Sequence, residues 1–387
     1  MAKPLLTIPN KTKSTKEGTL DDLASDVLAG LNSKFKDMPN AFVHLSDAVL
    51  VNEWVSSGSD ILDLAISNRP NAGLGYSTFV EISGLPGSGK SLLAAHILAE
   101  TQKQGGLAVL FDTEKAIGML DFYRSVGLDV NKALYSDKLR ALEDIFLAME
   151  TIIEKYVKSG HDRRMTIVVD SVMGATTNAE QEADYESGGY ATAKAKVLSI
   201  AMRKLPSLIV GRNILIVFIN QLKENLNAIG FGADPYKTTG GTAIPFTSHV
   251  RLRTKVIKAL KLDSRPYGSV VEVKVVKNRL GPNGRAVLLN IHYDSGIDNY
   301  GSWLTCLKEF GIVRTTGSFY VYDFKDQETG EKSKIQFQSK DFRKLLEENP
   351  QIKEEFYSQI CDKYIMKYRV NEDYGIDDVQ LSEIDED

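Results

Sequence analysis

The segment GLPGSGKS at residues 84–91 limits the fold more than any other, because it stands between an apolar run, FVEIS (79–83), and a helical stretch from about Ser91 to Gln102. It fits G-x-x-x-x-G-K-[ST] in the strand–loop–helix setting that gives this pattern its meaning. Glycine permits close backbone approach, so the N–H groups of Gly87, Gly89 and Lys90 can wrap phosphate oxygens while Lys90 neutralises charge and Ser91 holds magnesium. Gly84, Leu85, Pro86, Ser88 and the following Leu92 complete this candidate nucleotide site. Without a ligand the segment would be only a glycine-rich turn. With one, it belongs at the carboxyl end of a strand in a parallel sheet.

The rest of the chain supplies such a sheet. Apolar runs LAVLF (107–111), TIVVD (166–170) and ILIVFIN (214–220) alternate with helical stretches around 141–157 and an Ala-rich one ending near Leu205. Strand-length, near-continuous apolar runs between helices predict a parallel sheet covered on both faces, an α/β core. HVRLRT (249–254), VVEVKVV (270–276) and AVLLNIH (286–292) follow with short connections, so they are expected to extend the same sheet in antiparallel or mixed fashion. The core is thereby placed at 51–300. Before it, LDDLASDVLAGLNSKF has apolar residues at helical spacing and makes residues 1–50 an arm, its helix either a private core helix or a docking element. After it, FYVYDF reads as extended and the stretch around Pro350 as interrupted helix, a small α/β unit over 301–370.

Charge is polarised along the chain. The net value is −4, but residues 371–387 carry eight acids and no base, leaving a body in which 47 bases face 43 acids. The tail is expected to be disordered, either as a solubilising segment or as a competitor with polyanions for a basic surface. Cys306 and Cys361 show no metal-ligand spacing, which favours a reducing compartment. No apolar run is long enough for a signal or a bilayer-crossing segment, so a soluble, cytoplasmic protein without membrane contact is expected.

Strand ends carry the remaining chemistry. TIVVD ends on Asp170, a magnesium-binding acid by position that could also cap the next helix. FDTE places Glu114 where it can activate water, with Asp112 as competitor. ILIVFINQ offers Asn220 and Gln221 as γ-phosphate sensors, and the aperiodic, glycine-bearing 222–242 follows as a candidate switch loop. Ten bases between 251 and 285 meet only Asp263 and Glu272, forming a phosphate-contacting stripe or a solvated strand face. Within it, Lys277 and Arg279 are two apart and face one way, as a phosphate clamp for a neighbouring subunit would.

Taken in order, GLPGSGKS, LFDTEKA, IVVDSV, AMRKL, IVFINQ, TTGG, HVRL, VKVVKN and YDSGIDNYG resemble the bacterial RecA recombinases over about residues 50–365. The divergent ends resemble a phage-encoded member, similar to the T4-type phage recombinases. The resemblance implies a RecA-like ATPase core and a helical filament on single-stranded DNA, with ATP and magnesium between subunits. It further implies pairing and strand exchange with homologous double-stranded DNA, aided by single-strand-binding and mediator proteins in the cytoplasm of a host.

Residue by residue, the resemblance makes Glu114 the catalytic carboxylate and Gln221 the link from ATP to the DNA loop, and puts Phe122 and Tyr293 near the adenine. Lys277 and Arg279 would reach across the subunit interface, where Phe246 also lies. Lys196, Arg203, Lys223, Phe231, Gly240 and Gly241 match DNA-binding positions, Phe231 as a wedge between nucleotides and the glycines as backbone donors. Glu272 stands beside Lys274 where the family has a basic pair for a second DNA strand, so an equivalent second site is not implied. A hexameric helicase of the same superfamily and a filament protein in which ATP is structural are the competing functions.

Overall fold

The computed structural model describes residues 20–36, 41–44, 51–115, 120–183, 190–224, 236–238, 240–325 and 332–367. The acidic tail at 371–387 lies outside the described residues. The chain divides into two units at Leu50/Val51. In the first, helix α1 (Leu20–Lys34) leaves Leu23 and Val27 exposed, and Asn32 exchanges hydrogen bonds of 2.9 and 3.0 Å with the backbone of Phe42.

The second unit opens with β1 (Trp54–Val55), α2 (Asp60–Ser67) and β2 (Leu74–Gly75), then β3 (Thr78–Gly84), α3 (Lys90–Lys103), β4 (Leu107–Asp112), α4 (Leu120–Ser125) and β5 (Leu134–Ser136). It continues through α5 (Leu142–Lys158), β6 (Met165–Asp170), α6 (Asn178–Gln181), α7 (Tyr190–Ile209), β7 (Ile214–Glu224), β8 (Tyr236–Thr238) and α8 (Ala243–Thr247). The long hairpin β9 (Val250–Leu262) and β10 (Arg265–Asn278) follows, then β11 (Ala286–His292), β12 (Gly296–Ile297) and α9 (Asn299–Glu309). The chain is completed by β13 (Arg314–Thr316), β14 (Phe319–Lys325), β15 (Lys332–Phe337), α10 (Phe342–Glu348) and α11 (Pro350–Tyr364).

One sheet runs β12-β11-β10-β9-β3-β7-β6-β4-β5, with β8 paired to β7. From β9 to β5 every neighbour is parallel; β10, β11 and β12 extend it antiparallel, as expected of short connections. Alternation along each strand sorts side chains onto two faces. Val80, Ile82, Leu215, Val217, Ile219 and Leu252 join a cluster with α2, α3 and α9; Phe79, Ile167, Val169, Ile216 and Phe218 join another with α5 and α7. The parallel α/β core expected from the runs is the one observed.

Two boundaries differ from expectation. Helix α7 continues through Pro206 to Ile209, four residues past Leu205, because Ile209 is buried and its packing outweighs the lost N–H. The start of the glycine-bearing stretch is not loop: β7 runs to Glu224 and pairs antiparallel with β8, so a ribbon leaves the sheet there. Pro350 occupies the first turn of α11, where its missing N–H has no intrahelical partner to lose, and so starts a helix after α10 ends at Glu348. Trp303, 2 % exposed, donates to Asp60 at 2.9 Å and stacks on Tyr357 with centroids 5.4 Å apart, joining α9 to α2 and α11.

Asp63 on α2 is buried, and its carboxylate accepts from Ser56 Oγ at 2.5 Å and Ser57 N at 2.8 Å. Burial pushes its pKa up to about 7. An acid whose folded pKa is raised contributes stability that is complete below its unfolded value near 3.8 and is lost as pH rises toward 7. Asp63→Asn carries no such charge. Its unfolding free energy should therefore gain on that of the unchanged protein as pH rises from 4.5 to 7, by at most about 1.4 kcal/mol per pH unit. A constant difference in denaturant midpoints over that window would refute this.

Candidate nucleotide and nucleic-acid site

Parallel register gathers the candidate site at one edge. Gly84, at the carboxyl end of β3, lies level with Gln221 on β7 and Thr254 on β9, and Asp112 lies level with Asp170 at the carboxyl ends of β4 and β6. Gly87 and Gly89 have φ of 71° and 86°, left-handed values that glycine adopts without penalty, and these turn the chain from β3 into α3. Lys90, 8 % exposed, sends its ammonium back across the loop to the Leu85 carbonyl at 2.8 Å. Burial holds its pKa down, opposed by Asp170 and Glu114.

Asp170 is 8 % exposed, and burial pushes its pKa up to about 6 against the hydrogen bond from Ser91; Glu114 and Asp112 add to the rise. Asp170 and Glu114 thus share one lysine, and Asp112 adds negative charge beside Asp170, a surplus that suits a divalent cation. The described residues contain no cluster of three or more His, Cys, Asp or Glu placed to hold a metal by themselves. Magnesium fits such a set, because it keeps waters and phosphate oxygens and takes few protein ligands; Ser91 and Asp170 would hold it.

Glu114 stands at the centre of a network that sequence reading did not foresee. Its Oε1 accepts from both Ser171 Oγ and Gln221 Nε2, the latter at 2.8 Å. Ser171 Oγ also accepts from Gly174 N at 3.1 Å, and Thr113 Oγ1 donates to the Ser171 carbonyl at 2.7 Å. Gly174 is needed there, because an added Cβ would fall 2.6 Å from Glu114 Cγ. Asp112 is buried and accepts from Tyr135 Oη at 3.1 Å.

Asn220 and Gln221, offered together as sensors, separate by strand alternation. Gln221 meets Glu114, whereas Asn220 donates to Glu81 at 3.1 Å on the opposite face. Glu81, wholly buried, also pairs with Arg251 at 2.5 Å. Arg251, counted in the basic stripe, is therefore committed to the core.

Lys277 donates to the carbonyls of Pro245 and Phe246 at 2.8 and 2.7 Å, and Arg279 to that of Phe246 at 3.3 Å. Both cations share one face, as their spacing suggests. They stand at the amino end of β9, where Asn278 pairs with Val250, and not at the carboxyl edge beside their own phosphate loop. Phe246 next to them is 71 % exposed. Phe122 on α4 is partly buried against Tyr123, and Tyr293 beyond β11 is exposed.

On α7, Lys196 and Arg203 are both exposed, and seven residues put them on one side of a helix. Lys194, not singled out from sequence, donates to the carbonyls of Met173 and Ala175 and so holds the segment after β6. Lys223 lies directly across from Lys237 in the β7–β8 ribbon. Like charges directly opposed in a ladder repel, an arrangement that a polyanion would relieve. Gly240 and Gly241 follow with φ of 92° and 77°. Phe231 lies outside the described residues. A cavity of about 480 Å³ is lined by Leu85, Pro86, Tyr236, Arg253, Lys255 and Lys274 and joins the phosphate loop to this ribbon.

Known proteins bear on this arrangement. The family model of the RecA N-terminal domain matches residues 28–298. Protein RecA of Chlorobium chlorochromatii is 32 % identical over 313 residues, covering 81 % of this chain and 82 % of that one. Protein RecA of Nostoc punctiforme is 32 % identical over 84 % of both chains, and that of Campylobacter jejuni 34 % identical over 79 % of this chain and 83 % of its own. A phosphate loop, a strand-end carboxylate joined to a glutamine and a matching family domain converge: the chain belongs to the RecA family.

Proposed function

We propose that this chain is an ATP-dependent DNA recombinase that assembles as a helical filament on single-stranded DNA and pairs it with homologous double-stranded DNA in recombination and repair. The observation that carries the reading is the 2.8 Å bond from Gln221 to Glu114. It joins the carboxylate beside the phosphate loop to the strand that leads into the glycine-bearing loop, so an event at either end is felt at the other. ATP would be the phosphoryl donor; Gly84–Leu92 would cradle its phosphates, Glu114 would take a proton from water, and Ser91, ordered by Asp170, would hold a magnesium ion that neutralises phosphate charge.

Lys196, Arg203, Lys223, Phe231, Gly240 and Gly241 would face DNA. Lys277 and Arg279, remote from their own loop, would complete a neighbour's site, with Phe246 in that interface. Phe122 and Tyr293 would flank the adenine. In this reading residues 1–50 dock protomers, 51–300 form the ATPase core, 301–370 a small accessory unit and 371–387 a tail that screens the basic surface. Single-strand-binding and mediator proteins are the expected further partners. A cytoplasmic setting is part of this reading; among the described residues no helix is long and apolar enough to cross a membrane.

ATP hydrolysis by the full chain should rise on adding single-stranded DNA. Gln221→Ala should keep magnesium–nucleotide affinity within a few-fold and lose most of the rise, since the joint between the two sites is gone. Equal rates with and without DNA in the unchanged protein would overturn the recombinase reading.

A further inference from the structure

One hydroxyl of the phosphate loop, that of Ser88, meets a partner on β9 to which no role has been given. Thr254 on β9 is 3 % exposed and Ser88 of the loop 2 %, and their oxygens are 2.7 Å apart. Thr254 Oγ1 also reaches the Ser83 carbonyl at 3.3 Å, and either hydroxyl can be the donor within the pair. An added Cβ on Gly84 would fall 2.3 Å from Thr254 Oγ1 and 2.4 Å from Ser88 Oγ. The first glycine of the loop therefore makes room for this contact. Ser88 and Thr254 themselves line the 480 Å³ cavity, together with Leu85, Pro86, Arg253 and Lys255.

We propose that Thr254 is a positioning residue for nucleotide binding: through Ser88 its hydroxyl holds the phosphate loop in the shape that receives the phosphates of a nucleoside triphosphate. The inference rests on the ATP-binding reading above and deepens it. The loop is anchored by β9, the strand parallel to β3, as well as by α3, so strand β9 and the loop cannot shift independently. A buried hydroxyl left without its partner is expensive, whereas removing both partners is close to neutral.

The test uses the full chain and a fluorescent ADP with magnesium. Thr254→Ser, which keeps the hydroxyl, should bind within about twofold of the unchanged protein, while Thr254→Val, of nearly the same shape, should bind about tenfold more weakly. Ser88→Ala should also weaken binding, and the double variant should be no weaker than Thr254→Val alone. A threonine that merely packs would tolerate valine. Wild-type affinity in Thr254→Val, or strictly additive losses in the double variant, overturns the proposal. If Thr254→Val does not fold, Ser88→Ala with undiminished affinity overturns it instead. Failure of both the unchanged protein and Thr254→Ser to bind the nucleotide would sink the ATP-binding reading itself, a separate outcome.

Discussion

Replacing Glu114 with Gln should lower DNA-dependent ATP turnover by about 10²–10⁴-fold, the range that removal of a positioned general base commands. Ser171 and Gln221 both donate to Oε1 of Glu114, an exposed residue. Glutamine preserves the shape and an oxygen for those donors, yet cannot take the proton. Magnesium–nucleotide affinity should stay within a few-fold, because the phosphates are held by the loop and by Lys90. Single-turnover phosphate release separates the two effects. A turnover rate unchanged by the substitution would remove Glu114 from the chemistry. Asp112, the alternative in sequence, is buried and already engaged by Tyr135.

Removing the Arg251 side chain with alanine should destabilise the fold by about 3–5 kcal/mol, the range seen when a buried ion pair loses one member. Glu81 is wholly buried, and its remaining partner is the Asn220 amide, a neutral donor that cannot balance a carboxylate. Glu81 lies on β3 three residues before Gly84, Asn220 beside Gln221 and Arg251 three before Thr254, so the damage reaches the site edge through three adjacent strands. The double change Glu81→Leu with Arg251→Met should restore much of the loss, since no charge is stranded. Denaturant unfolding of both variants decides it; a loss under about 1 kcal/mol for Arg251→Ala would mean that water reaches Glu81.

The main outline was legible because it rests on short-range rules. Apolar runs of strand length between helices gave a parallel core, and glycine spacing gave the loop between β3 and α3. Glu114, Asp170 and Gln221 were found as polar residues at the ends of such runs. Pairings between distant segments were not legible. Glu81 within FVEIS departs from an apolar strand, and that was a signal, but its partners lie on β7 and β9, and only the strand order brings them together. Ser171 follows Asp170 in sequence and still showed its purpose only when Glu114 arrived beside it.

The basic stripe divides for the same reason. Arg251, Lys277 and Lys255 look alike in a string of residues, yet one is committed to a buried carboxylate, one to carbonyls at the far end of β9 and one to the cavity beside the loop. By itself the sequence determined that a phosphate-binding loop would close a parallel strand, because glycine freedom and the lysine–serine pair are local properties. Which hydroxyl, amide or cation stands against that loop was decided by the tertiary structure alone, because sheet order and register bring together residues 170 and 171 positions apart.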